Sequence, residues 1–232
     1  MEFLLDSLWQ ALRLIRGGDP DLLSAIATTL RVSISSTAIA ALVSVPLALA
    51  IARGNFRGKG TVLRLLRTAL ALPTVVIGLL IYAFIARNAP LGGLHILFSR
   101  TAIVIGQVLL IIPLITALAH SVLEIKMATV YEEAILLGAS PRAALWKVLL
   151  ETRFGTVTAL LAGFGRVISE VGISLMLGGN IRGLTRTITT AITLETSQGH
   201  FDQALALGIV LMGLVLALNL FIRTGGQHRE AF

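Results

Sequence analysis

The residues most able to do chemistry sit where charge is expensive. Arg166 and Glu170 lie four apart near the middle of the apolar run FGTVTALLAGFGRVISEVGISLMLGGNIRG, which begins at Phe154. Positions four apart are neighbours on one helical face. A charge in the middle of a bilayer costs at least about 2.5–3.5 kcal/mol on insertion scales. Two readings follow: a structural ion pair that locks helices together, or a polar face that lines a translocation path and changes partners during gating. Gly163, Gly165 and Gly172 on the same run allow close helix approach. Further on, Arg182 and Arg186 are again four apart, among many threonines. Guanidinium and hydroxyl donors suit a tetrahedral oxyanion in shape and charge; ordinary solvated loop charges are the plainer reading.

Enzyme chemistry fares poorly. His95, His120, His200 and His228 are scattered, without the spacing of a helical metal site, and no serine stands in a GxSxG elbow. Zero cysteines exclude disulfides, thiolate ligands and cysteine nucleophiles. Glu132 and Glu133 are adjacent, so on a helix they point about 100° apart and do not share a substrate. Gly54 to Gly58-Lys59 is one residue short of a phosphate-binding loop, with Gly60 where a magnesium-binding hydroxyl belongs. That stretch reads as a loop. Ser24, Ser33, Ser35 and Ser36 fall in an apolar segment and read as hydrogen-bonding partners of backbone carbonyls.

The elements that must position these residues are membrane helices. Of 232 residues, 56% are hydrophobic and 13% charged, with a mean hydropathy of +0.89, far from soluble averages. Spans are expected at about 22–52, 65–86, 101–123, 154–177 and 204–222. Residues 1–21 read as an interfacial amphipathic segment with Trp9 as its anchor, and 223–232 as a short tail. The net charge of +7 does not require nucleic acid, because its excess concentrates in Arg53, Arg57, Lys59, Arg64 and Arg67, a stretch without an acid. Placed in the cytoplasm by the positive-inside bias, this stretch puts 131–150 and the tail inside as well. The amino terminus and 178–202 then lie outside.

Between the third and fourth spans comes the longest polar-bearing interruption, YEEAILLGASPRAALWKVLL from Tyr131 to Leu150. Gly138 can take the left-handed conformation that ends a helix, Ser140 can cap the next, and Pro141 suits its first turn. Two short helices are predicted. A DNA-binding helix-turn-helix uses similar hardware, but a basic recognition face is missing and both flanks are membrane.

This stretch resembles the EAA loop of ABC importer permeases. The match is Glu132-Glu133-Ala134, three residues, Gly138, then Val148-Leu149-Leu150. Glu133 departs from the family's first alanine, and Glu151 stands where a proline is frequent. Phe164-Gly165-Arg166, Ser169-Glu170, Gly172 and Gly178-Gly179-Asn180-Ile181 are similar to the signature that follows in molybdate, tungstate and sulfate permeases. The Ser-Glu-Val-Gly and Gly-Gly-Asn-Ile-Arg-Gly forms look closest to the tungstate permeases.

The resemblance implies an all-α integral membrane protein, a type I importer transmembrane domain with about five spans and a cytoplasmic coupling helix within 129–151. It implies ATPase coupling through Glu132, Glu133, Ala134, Gly138, Ala139, Ser140, Pro141 and Arg142. Arg166, Ser169, Glu170, Gly172 and Asn180 would belong to the translocation path or its gate, and Arg182 and Arg186 would meet the oxyanion or its binding protein. The implied partners are a second copy, ABC ATPase subunits, an extracytoplasmic oxyanion-binding protein and the bilayer of a prokaryotic cell membrane. ATP and Mg would be held by the ATPase subunit, with no cofactor on this chain. The implied cargo is tungstate, with molybdate or sulfate as alternatives. A secondary ion-coupled transporter using Arg166 and Glu170 is the reading from another class.

Overall fold

The structure, a computed structural model, describes residues 16–227 together with Trp9, Leu12 and Arg13. Of the expected interfacial segment, residues 1–8, 10, 11, 14 and 15 lie outside the described residues. So do residues 228–232 of the expected tail, with His228.

The described residues form helices and connecting turns, with no strand among them. In chain order the helices are α1 Pro20–Arg53, α2 Lys59–Ala69, α3 Thr74–Ile85, α4 Arg100–Lys126, α5 Glu132–Leu136, α6 Pro141–Glu151, α7 Arg153–Ile168, α8 Gly172–Gly178, α9 Ile188–Ser197 and α10 Phe201–Gln227. A π-helical turn, Met127–Tyr131, joins α4 to α5.

Local chemistry sets these boundaries. Asp19 opens α1: its Oδ1 accepts from the backbone N–H groups of Asp21 at 2.9 Å and Leu22 at 2.8 Å, with Pro20 in the first turn. Pro46 and Pro113 lie inside α1 and α4 without ending them. Pro73, by contrast, stands between α2 and α3. It lacks an N–H and disfavours helix in the residue before it, so the apolar stretch 65–86 is divided between two helices.

By length and composition, Pro20–Arg53 and Arg100–Leu136 can each cross a membrane. The bent pairs α2 with α3 and α7 with α8 raise the total to four if each is one span. Phe201–Ala217 is a shorter apolar helix.

The chain divides into two compact units, one of Met1–Ser35, Thr74–Gln107 and Val167–Phe232, the other of Ser36–Pro73 and Val108–Arg166. The first unit packs Leu22 and Ala25 of α1 against Ile188 and Ala191 of α9 and Ala206, Leu207 and Val210 of α10. Buried Thr29 fixes the register. Its hydroxyl donates to the Ala25 carbonyl at 2.7 Å and accepts from the Ile188 N–H at 2.9 Å. Elsewhere in this unit α4 meets α8 at Gly106, where an added Cβ would lie 2.5 Å from Ile173 Cγ2 and 2.7 Å from Leu177 Cδ1. Gly106→Val is therefore expected to destabilise the chain by about 1–3 kcal/mol through overpacking. A thermal midpoint in detergent equal to that of the unsubstituted chain would show that the contact yields freely.

The second unit has an alanine-rich core: Ala48 and Ala52 of α1, Ala119 and Leu123 of α4, Met127, Val148 of α6 and Ala159 of α7. Ser44 Oγ donates to the Ile112 carbonyl at 3.2 Å. Lys59 Nζ, at the start of α2, pairs with Glu124 Oε1 of α4 at 3.2 Å.

Candidate functional site

The 131–150 stretch is built as its residue types dictate. Helix α5 ends in a Schellman turn: Gly138 has φ 85°, its N–H donates to the Ile135 carbonyl and the Ala139 N–H to the Ala134 carbonyl, both at 2.9 Å. Two carbonyls at the helix end are thereby satisfied. Only the left-handed conformation permits this, and a β-branched residue enters it at high cost. Two residues on, Ser140 Oγ accepts from the Ala143 N–H at 3.3 Å, and Pro141 is the first residue of α6. Buried Ala144 and Val148 lie four apart on α6 and root it in the unit's core, with Ala134 of α5 also buried.

The outward surface of this element is mixed. Glu132, Glu133, Gly138, Ser140, Pro141 and Arg142 are exposed, and Ala139 is half-buried. Between the acids and the turn stand Leu136 and Leu137, 87% and 86% exposed, flanked by exposed Ile135 and, on α6, Trp146. The sequence reading passed over these four residues. The signal was the run Ile135-Leu136-Leu137, three apolar residues in succession on a helix too short to bury more than one side. Glu151, where the resembling family favours proline, is the last residue of α6 and reaches Lys126 Nζ at 4.0 Å.

The 166–172 stretch differs from its expected form. Arg166 and Glu170 do not share one continuous helix: α7 ends at Ile168, and Glu170 sits in the link before α8. Arg166, in the last turn of α7, and Ser169 are exposed, whereas Glu170 is 3% exposed. The Glu170 carboxylate accepts from the Ile173 N–H at 3.2 Å, satisfying a donor at the start of α8. Its backbone carbonyl accepts from Ser174 Oγ at 3.3 Å and Thr189 Oγ1 at 3.0 Å. Gly163 does mark a close approach, 2.7 Å from an added Cβ to Ile115, and Gly172 does so against Thr74 and Val75 at 3.0 Å. Around Gly165 there is open space.

The stretch after α8 folds back on itself. Gly179 and Asn180 both have positive φ, 69° and 52°. Asn180 acts as a strut: its amide donates to the Thr190 carbonyl at 3.4 Å and its Oδ1 accepts from Arg186 Nε at 3.2 Å. Four threonines of this stretch turn inward. Thr185 Oγ1 donates to the Gly178 carbonyl at 2.5 Å, and Thr187 and Thr190 form a capping box at the start of α9. Thr185, Thr187, Thr189 and Thr190 are all buried.

Arg182 faces outward and holds Asp21 side-on along one edge of its guanidinium, Nε to Oδ1 at 2.5 Å and Nη2 to Oδ2. The Asp21 carboxylate raises the Arg182 guanidinium above its already high range, chiefly through this hydrogen bond. A cavity of about 510 Å³ opens beside the pair, lined by Arg13, Asp19, Asp21, Arg182, Arg186 and Glu195 among others. The two arginines four apart thus have separate duties: one holds α1, the other braces Asn180. Exchanging the charges, Asp21→Arg with Arg182→Asp, is expected to restore resistance of 179–187 to proteolysis that either single change lowers. Equal cleavage of singles and double variant would show that the pair does not order the loop.

Comparison with known proteins agrees with the helical architecture. Residues 44–224 match the family described as binding-protein-dependent transport system inner membrane component. A probable anion ABC transporter permease protein of Haloferax volcanii is 36% identical, over 85% of this chain and 88% of the relative. The tungstate uptake system permease protein TupB of Peptoclostridium acidaminophilum is 34% identical over 96% and 97%. TupB of Campylobacter jejuni is 35% identical over 94% and 92%. A family match across most of the chain, on an all-helical protein with spans of membrane length, assigns it: the chain belongs to the binding-protein-dependent transport system inner membrane components, as a permease subunit of an ABC importer and not the ATPase itself.

Proposed function

We propose that this permease carries tungstate across a prokaryotic cytoplasmic membrane, driven by a separate ATPase subunit and supplied by an extracytoplasmic oxyanion-binding protein. The observation that carries the cargo is the near full-length similarity to two permeases named for tungstate uptake. Support for the mode of action comes from the 131–150 stretch. A capped helix–turn–helix rooted by Ala144 and Val148, with an exposed apolar tip, is the form a rigid contact with a motor subunit requires.

Two copies would enclose the path, each offering its Tyr131–Leu150 element to one ATPase subunit, which holds ATP and Mg. Closure of the ATPase pair draws the two elements together and turns the path outward; the binding protein then releases its anion, and hydrolysis returns the path inward. Within the path this reading assigns Arg166 and Ser169, both exposed on the chain surface, to the gate or its lining. Glu170, Gly172 and Asn180 are assigned to the same path: Glu170 caps α8 and Asn180 braces the loop that follows. Arg182 and Arg186 belong to the outer face that receives the binding protein, with Arg182 held in place by Asp21.

The test is ATPase activity in vesicles containing the permease, its ATPase subunit and the binding protein, with tungstate, molybdate or sulfate added in turn. Stimulation at the lowest concentration by tungstate is expected. An equal response to molybdate would make the system a general oxyanion importer, and no response to any of the three in a stable complex would reject the cargo class.

A further inference from the structure

Helix α2, Lys59–Ala69, has no role in the import cycle described above and no buried residue. Its eleven residues span about 16 Å, too short to cross a bilayer. On the helical wheel Leu63, Val62, Leu65, Leu66 and Ala69 occupy one arc, and Arg64, Arg67, Thr61 and Thr68 the opposite one. Val62, Leu63, Leu66 and Ala69 are half-covered, but Leu65 is 64% exposed, and Phe56 and Leu70 on its flanks are exposed too. Apolar side chains therefore stand open beside cations. Arg53, Arg57, Arg64 and Arg67 are all exposed, and no acid occurs from Arg53 to Ala69.

The level of this helix is set by a contact. Lys59 is tied to Glu124, near the end of membrane-length α4 just before the 131–150 stretch. The start of α2 thus lies where α4 leaves the apolar layer, on the side the charge bias assigns to the cytoplasm.

We infer that α2 is an interfacial helix that binds the anionic lipid surface of the inner leaflet, Leu65, Phe56 and Leu70 entering the acyl boundary and Arg53, Arg57, Arg64 and Arg67 holding phosphate headgroups. Amphipathic helices with arginines on the polar arc and leucines on the other lie in this plane. Each basic residue close to an anionic surface strengthens the contact by about fivefold at its fullest. The inference uses the cytoplasmic placement of the basic stretch but not the identity of the transported anion.

The absence of cysteine in the chain makes a direct test clean. Full-length permease carrying Leu65→Cys, labelled with an environment-sensitive fluorophore, is reconstituted into vesicles of phosphatidylcholine and phosphatidylglycerol, with one lipid brominated at a time. Bromolipid is expected to quench the label and aqueous iodide to leave it untouched, with brominated phosphatidylglycerol several-fold more effective per mole. Substituting Arg53, Arg57, Arg64 and Arg67 with glutamine should bring that ratio to one, and substituting the same four with lysine should keep it. Quenching by iodide alone would place Leu65 in water and overturn the inference. Equal quenching by both lipids in the unsubstituted chain would remove the headgroup selectivity. Shielding of the label by added ATPase subunit, in place of bromolipid quenching, would replace the lipid by a protein partner. Anion-stimulated ATPase activity, measured on the same vesicles, separates failure of this inference from failure of the proposed transport reading.

Discussion

Replacing Leu136 and Leu137 together by serine is expected to weaken capture of the ATPase subunit by about a hundredfold or more while leaving the permease folded. Both side chains are almost fully exposed, so little native packing is lost when they are shortened. Burying a leucine against a partner stabilises the complex by about 1.5–3 kcal/mol, and each 1.4 kcal/mol is a factor of ten in affinity. The two leucines sit side by side at the tip of α5, immediately before the turn, where the proposed contact with the ATPase would meet them first. Acids at Glu132 and Glu133 contribute far less, since exposed ion pairs are worth at most about 1 kcal/mol and fade with salt. Binding of purified ATPase subunit to immobilised permease, at low and high salt, separates the two contributions. Unchanged affinity in the leucine variant would move the contact elsewhere on the 131–150 stretch.

The second large effect is expected at Gly138. Valine there cannot adopt φ 85° without steric strain, and the whole Schellman turn depends on that angle. The cost of the strained residue, about 1–3 kcal/mol, is avoided if the turn rearranges, and the rearrangement swings α5 relative to α6. Binding of the ATPase subunit is then retained in part, through α6, while anion-stimulated hydrolysis falls to the basal rate. Gly138→Asn, a residue that tolerates the left-handed region, should restore most of the stimulation. Full stimulation in Gly138→Val would mean that the turn's geometry does not transmit the signal.

How far the sequence could be read depended on the range of the interactions involved. Gly138, Ser140 and Pro141 were legible because caps and turns are set by residues one to five positions apart. The helical character of the apolar runs was legible from composition. Arg166 and Glu170 were not, since their spacing suits a helix but does not reveal that the helix ends between them. Glu170 supplies a carboxylate to the Ile173 N–H, and that role shows itself only once the chain is folded. The bonding of the threonines after Asn180 was hidden for a related reason. Hydroxyls dense in a polar stretch suggest a ligand site; their spacing does not show that Thr187, Thr189 and Thr190 bond one another at the start of α9. Asp21 and Arg182, 161 positions apart, lie beyond any local rule.

Ala48, Ala52, Ala119 and Ala159 share one buried cluster with Leu123, Met127 and Val148. Within a bilayer no hydrophobic drive holds helices together, so association rests on close packing of small side chains. Long interdigitating side chains must unlock before one helix can slip past another. Methyl groups present a nearly smooth track. Helices that meet on such a track shear along their axes at little cost in lost contact, whereas bending them would break backbone hydrogen bonds. Enlarging one of these alanines is expected to act as a brake: it strains the resting packing and raises the barrier to sliding, so ATPase-coupled turnover should slow more than ATPase binding weakens.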